Sequence, residues 1–148
     1  MRRVAKFRSL PGREKKLLCE AGILLSLSNV CVKAIAFKHI DSFLRAHWND
    51  ELLDNVNQNQ EIGLVQRSIS RAARLLPWKC LCLSRSIAEF IMLRRRNIPA
   101  VLFTGVRFSD HFLLDAHAWV ETSLVNDERS QNPGYAPVIE IGTRALDS

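Results

Sequence analysis

At 148 residues, with 47% apolar and 24% charged side chains, the chain has globular composition, and a chain of that length can bury roughly 70% of its unfolded surface. That excludes an intrinsically disordered chain and removes the need for disulfide or metal staples. Twenty-one Lys and Arg against fifteen Asp and Glu leave a net charge of +6, which favours anionic partners in general and selects none. An unspecialised basic surface accounts for this charge equally well, and no nucleic-acid partner is expected.

The amino-terminal region has the outline of a signal peptide. Met1 to Lys16 is basic, Ala21 to Val32 is mostly apolar, and Ala34-Ile35-Ala36 has the small-x-small form of a cleavage site. Glu14 inside the basic stretch and Glu20 just before the apolar one argue against that function. Glu20, Asn29 and Lys33 also interrupt the apolar run short of the roughly 20 residues that a bilayer requires. The spacing predicts an amphipathic helix instead. After Pro11-Gly12, apolar Leu17, Leu18, Ala21, Leu24, Leu25, Cys31, Val32 and Ile35 recur at helical intervals, with Ser28 on the same stripe and a bend expected near Gly22 or Asn29. On this basis the protein is expected in a reducing cytoplasm, without stable membrane insertion. Its four cysteines, Cys19, Cys31, Cys80 and Cys82, are then free thiols, the first two being small core or boundary residues.

The polar stretch Asp54 to Gln60 reads as a linker, dividing a helical region at 1–60 from a second unit at 61–148. From Glu61, apolar Ile62, Val65, Ile69, Ala72, Ala73 and Leu76 predict a helix that must end before Pro77. Arg67, Arg71 and Arg74 on its other side read as a solvated face. A third helix is predicted from about Cys80 to Arg96, with Leu83, Ile87, Phe90 and Ile91 inward. Arg94, Arg95 and Arg96 suit the negative end of its dipole, Asn97 a left-handed cap, and Pro99 the stop. Beyond Pro99 the period shortens to two, and strands are predicted over residues 101–108, 116–121, 124–127 and 138–141. The fold class is therefore α+β, helices first and a mainly antiparallel sheet after, with the third helix packed on the sheet.

The segment Pro77-Trp78-Lys79-Cys80-Leu81-Cys82 sets two thiols where a helix begins, and backbone N–H groups at such an end favour the thiolate. Residues two apart on a helix point in different directions, so the two cannot be equivalent. Cys82 shares a helical side with Ser86 and Glu89, a polar strip suited to a cleft. In Asp115-Ala116-His117-Ala118-Trp119-Val120-Glu121, alternation sets His117, Trp119 and Glu121 on one face and small residues on the other, with Trp119 as wall or cover. A base also needs a third group to hold its ring. A three-residue loop at Glu121-Thr122-Ser123 sets Asp127 opposite His117, whereas a two-residue loop sets Glu128 there. Cys82, His117 and Asp127 are thus the candidate catalytic residues, with Glu128 as the fallback.

In order and spacing, several segments together resemble the transglutaminase-like leader peptidases of lasso-peptide biosynthesis. They are Cys82-Leu83-Ser84-Arg85-Ser86-Ile87-Ala88, Leu93-Arg94-Arg95-Arg96-Asn97-Ile98-Pro99-Ala100, Thr104-Gly105-Val106-Arg107 and Ala116-His117-Ala118-Trp119-Val120-Glu121. Leu10-Pro11-Gly12-Arg13-Glu14 and Arg74-Leu75-Leu76-Pro77 resemble the segment that family carries before its catalytic part. The resemblance implies a papain/transglutaminase-like core over residues 61–148, with the nucleophile at a helix start. It also implies Cys82 as nucleophile, His117 as base and acid, and Asp127 as orienting carboxylate, with no metal or organic cofactor. The substrate would be a ribosomally made precursor peptide. The implied partners are a separate leader-recognition protein and an asparagine-synthetase-like lasso cyclase. The chain departs from the family in its additional thiol, Cys80, and in a shorter interval from His117 to the carboxylate. It would be the stand-alone form, lacking the fused leader-recognition domain. Rival readings are an acyl-transferring transglutaminase, a non-catalytic basic binding module, and a zinc site of Cys80, Cys82, His111 and His117, whose C-x-C pair lacks the usual ligand spacing.

Overall fold

Among the described residues, apolar side chains at helical spacing build four helices before the pattern turns to alternation and forms a sheet. A computed structural model describes residues 11–48, 58–108, 114–122 and 134–142. The elements are α1 (Gly12–Ala34), α2 (Phe37–Trp48), α3 (Gln58–Leu75), α4 (Cys82–Arg94), β1 (Ala100–Phe108), β2 (Leu114–Thr122) and β3 (Ala136–Ile141). The α+β class expected from sequence is the observed one.

Helix α1 runs unbroken through Gly22 and Asn29 and buries Leu17, Leu18, Ala21 and Leu25. By length and composition it could also cross a membrane. The polar residues that interrupt its apolar run have partners within the fold. Asn29 meets Ser84 of α4 in a buried contact of 3.4 Å, and Glu20 is clamped by Arg95 at 3.1 Å and Arg96 at 2.5 Å. Cys31 packs against the core as expected, but Cys19 is exposed, because it lies off the stripe of Leu17, Leu18, Ala21 and Leu25.

Helix α2 falls where the periodicity predicts none. It buries only Ile40 and Leu44, and Arg45 holds it to the sheet by donating to the Glu140 carbonyl at 2.7 Å while pairing with Asp41 at 2.9 Å. Helix α3 starts at Gln58, inside the stretch expected to be a linker, because Gln58 is itself buried and donates to the Asn97 carbonyl. Residues 54–57 lie outside the described set. The 60/61 division therefore falls in the first turn of α3. One apolar cluster runs across it, from Leu17 of α1 through Val65 of α3 and Phe90 of α4 to Leu102, Val120 and Ile141 of the sheet. Arg67, Arg71 and Arg74 are exposed as expected, and Arg71 pairs with Glu14 of α1 at 2.9 Å.

Helix α4 starts at Cys82 rather than near Cys80, since Leu81 is extended (φ −69, ψ 154). At its other end Asn97 takes φ 55, the left-handed turn foreseen for it, and Ile98 and Pro99 follow into β1. The arginine triplet does more than meet the helix dipole. Arg94 is buried and donates to the Trp48 carbonyl at 3.0 Å, while Arg95 and Arg96 reach Glu20. The strands form an antiparallel sheet of order β2-β1-β3. Leu102 lies opposite Val120, and Gly105 opposite His117. The strand expected at 124–127 lies outside the described residues.

Glu89 was expected on a cleft-facing strip, but its carboxyl turns to Gln66 of α3. Burial pushes this carboxyl above the ordinary range, against the opposing effects of the Gln66 hydrogen bond and the Arg85 charge. A folded-state value above the unfolded one contributes stability below the ordinary glutamate pKa, and that contribution is lost as pH rises through the folded value. Glu89→Gln should therefore weaken the loss of stability between mildly acidic and neutral buffer. Urea denaturation midpoints of variant and wild type at the two pH values measure this.

Candidate active site

The start of α4 is an open one. The Leu81 carbonyl accepts the Arg85 N–H at 3.1 Å, and Leu81 offers no side chain to cap the first turn. The N–H groups of that turn have no acceptor within the helix and leave a partial positive charge at its end. Cys82 is the first residue of this turn and is exposed. Cys80 precedes the helix and is half-buried against the apolar core.

Strand β2 meets α4 through its small residues. Ala118 and Val120 are buried, and the Ser86 hydroxyl, one turn along α4 from Cys82, donates to the Ala118 carbonyl at 2.9 Å. Ser86 is thus part of the helix–sheet contact, not of a polar cleft strip. The result is that Cys82 and His117 line one cavity of about 250 Å³. Ala116 and Ala118 line it as well, so the cavity is not confined to the His117 face of the strand.

His117 sits at the end of a row of rings on the sheet face away from the helices. Phe103 stacks on Trp119 (centroids 5.5 Å apart), Trp119 on His117 (6.1 Å), and Tyr135 tilts against His117 at 5.2 Å. The row depends on Gly105, because a Cβ there would come within 2.9 Å of the Trp119 ring and 2.7 Å of the Ala136 carbonyl. Tyr135 is held in turn. Its hydroxyl donates to Asp115 Oδ2 at 2.5 Å, Arg107 Nη2 donates to the same oxygen at 3.1 Å, and the guanidinium lies 4.5 Å over the tyrosine ring. The Tyr135 hydrogen bond, then that from Arg107, holds the Asp115 carboxyl below the usual range, and the charge of His117 acts in the same direction. The Asp115 hydrogen bond pushes the Tyr135 phenol up, and the nearby Cys82 adds to this.

Asp115 and Tyr135 escaped the sequence reasoning. The available signal for Asp115 was its spacing of two from His117, which sets both on one strand face. Tyr135 offered none, since its approach depends on how β3 registers on β1, with an irregularity between Thr104 and Gly105. Asp127, Glu128 and His111 lie outside the described residues.

A thiol at a helix start and an imidazole on the adjoining sheet, sharing a cavity, define an α+β protein with the layout of a thiol-dependent acyl-chemistry site. A protein-family model described as the Transglutaminase-like superfamily matches residues 24–140, and the chain belongs to that superfamily. No curated protein and no solved structure matches the chain. Membership points to cysteine-protease or transglutaminase-type activity.

Since Tyr135 is the first cause of the low Asp115 pKa, Tyr135→Phe should move the Asp115 titration upward, toward the ordinary range. Carboxyl NMR resonances followed through an acid titration would show the shift, and an unmoved midpoint would contradict the assigned hydrogen bond.

Proposed function

We propose that the protein is a cysteine endopeptidase that removes the leader from a ribosomally made lasso-peptide precursor. The observation that carries this reading is the meeting of Cys82, at the open start of α4, with His117 of β2 in one cavity of a transglutaminase-like chain. Motif order and spacing around both residues support the leader peptidase over other members of the superfamily.

In this reading the Cys82 thiolate attacks the carbonyl carbon at the leader/core junction, and the tetrahedral oxygen collects negative charge. The Cys82 backbone N–H, in the uncapped first turn, is one donor for that oxygen. Loss of such a donor costs about 3 kcal/mol of transition-state stabilisation. The C–N bond breaks as His117 passes its proton to the departing amine, which leaves the leader as a thioester on Cys82 and frees the core α-amine. His117 then takes a proton from water, which attacks the thioester and releases the leader as a carboxylic acid. Asp127 orients the imidazole, Glu128 being the fallback for that role. Cys80 takes no part. The freed amine goes to an ATP-using, asparagine-synthetase-like cyclase, and a separate leader-recognition protein delivers the precursor. A reducing cytoplasm is the compartment that suits a free thiolate.

Mass spectrometry of a matched precursor, incubated with its leader-recognition protein, tests the proposal. Wild type and Cys80→Ala should release leader and core, while Cys82→Ala and His117→Ala should lose activity by at least about 1,000-fold. Loss in Cys80→Ala alone would move the nucleophile. A mass gain on an added primary amine in place of hydrolysis would identify acyl transfer.

A further inference from the structure

The cavity shared by Cys82 and His117 is built from five elements, β2 supplying Ala116, His117 and Ala118. Phe37 comes from α2, Leu83 from α4, Val106 from β1, and Val138 and Ile139 from β3. No Lys, Arg, Asp or Glu lines it among the described residues. At about 250 Å³ it falls below the roughly 300–1,000 Å³ of pockets that hold whole small molecules. It is the size for one side chain, open to solvent where Val138 stands largely exposed at the rim.

We propose that this cavity is the specificity pocket of the enzyme, and that it receives an apolar side chain from the acyl side of the scissile bond, within two residues of it. The proposal rests on the peptidase reading given above. The acyl side is favoured by the chemistry, because the acyl fragment stays bonded to Cys82 through both steps, whereas the amine leaves after the first. A pocket beginning beside Sγ therefore holds the thioester in place while water enters. The lining excludes charged substrates at this position, because a carboxylate or ammonium would be stripped of water with no counter-charge to meet it. Phe37 sets the depth of the pocket from the helical side, and Val138 sets the character of its rim.

Two series of chloromethyl ketones test the proposal without the natural precursor: acetyl-X-Gly and acetyl-Gly-X, where X is leucine, phenylalanine, alanine, aspartate or lysine. In each, the Cys82 sulfur displaces chloride, a C–S bond forms as the C–Cl bond breaks, and the thiol proton passes through His117 to solvent. The rate of Cys82 alkylation is read by mass spectrometry. In one of the two series, leucine or phenylalanine should react at least about 10-fold faster than aspartate or lysine. Phe37→Ala should move the optimum toward the larger phenylalanine probe. Val138→Lys, a change at an exposed position checked for folding by circular dichroism, should raise the aspartate rate and lower the lysine rate. A flat response in both series, or an unchanged preference in Val138→Lys, overturns the pocket assignment. Such a result leaves the peptidase reading standing as long as His117→Ala slows the labelling. Labelling as fast in His117→Ala as in wild type overturns both.

Discussion

The contact on which the rest of the molecule depends is that of α4 with β2. Ser86 donates to the Ala118 carbonyl in a buried bond, and Ala118 is small enough to let helix and strand approach. A bond of this kind contributes only about 1 kcal/mol net, but leaving either group unpaired in the interior would cost about 1–3 kcal/mol. Its position matters more than its energy. Ser86 lies one helical turn from Cys82, and Ala118 is the chain neighbour of His117, so one interaction fixes the relation between the two residues that share the cavity.

Helix α1 holds α4 just as specifically at both of its ends. Glu20 accepts from Arg95 and Arg96, and Asn29 meets Ser84 where neither side chain reaches water freely. A buried amide and hydroxyl are tolerated only when paired, so these residues specify how α1 lies across α4 as well as stabilising it. The left-handed turn at Asn97 then reverses the chain within a few residues and delivers Pro99 to the first strand. Helix position, turn and strand register thus form one chain of constraints running from α1 to His117.

The parts of this arrangement legible in the sequence were those governed by local rules. Helical spacing located α1, α3 and α4, Asn97 and Pro99 located the end of α4, and alternation paired His117 with Trp119. Helix α2 was missed because it buries only Ile40 and Leu44, and no proline, glycine or capping residue marks its start after the extended Ile35. The strip of Cys82, Ser86 and Glu89 was correctly grouped by angle, but of the three only Cys82 lines the cavity. Spacing places residues on a side of a helix but does not say what faces it, and here Ser86 meets a strand while Glu89 meets Gln66 of a neighbouring helix. The Arg107, Asp115 and Tyr135 group was illegible for a related reason, since its members come together only through tertiary register.

The two faces of the sheet are consequently built from different materials for different tasks. The helix-facing side carries aliphatic Leu102, Val120 and Ile141 and joins the main core. The other side carries Val101, Phe103 and Trp119, with Tyr135 packed against them and His117 at the end of the row. Ring contacts of this kind fix the plane of an imidazole without consuming either of its nitrogens. The anchoring of Tyr135 by Asp115 and Arg107 transfers that rigidity to the ring on which His117 leans, and Asp115 is thereby engaged with the phenol. In the proposed chemistry this division has a purpose. One nitrogen must exchange a proton with the thiol and the leaving amine while the other is held by a carboxylate, so an imidazole positioned by its faces keeps both free for the reaction.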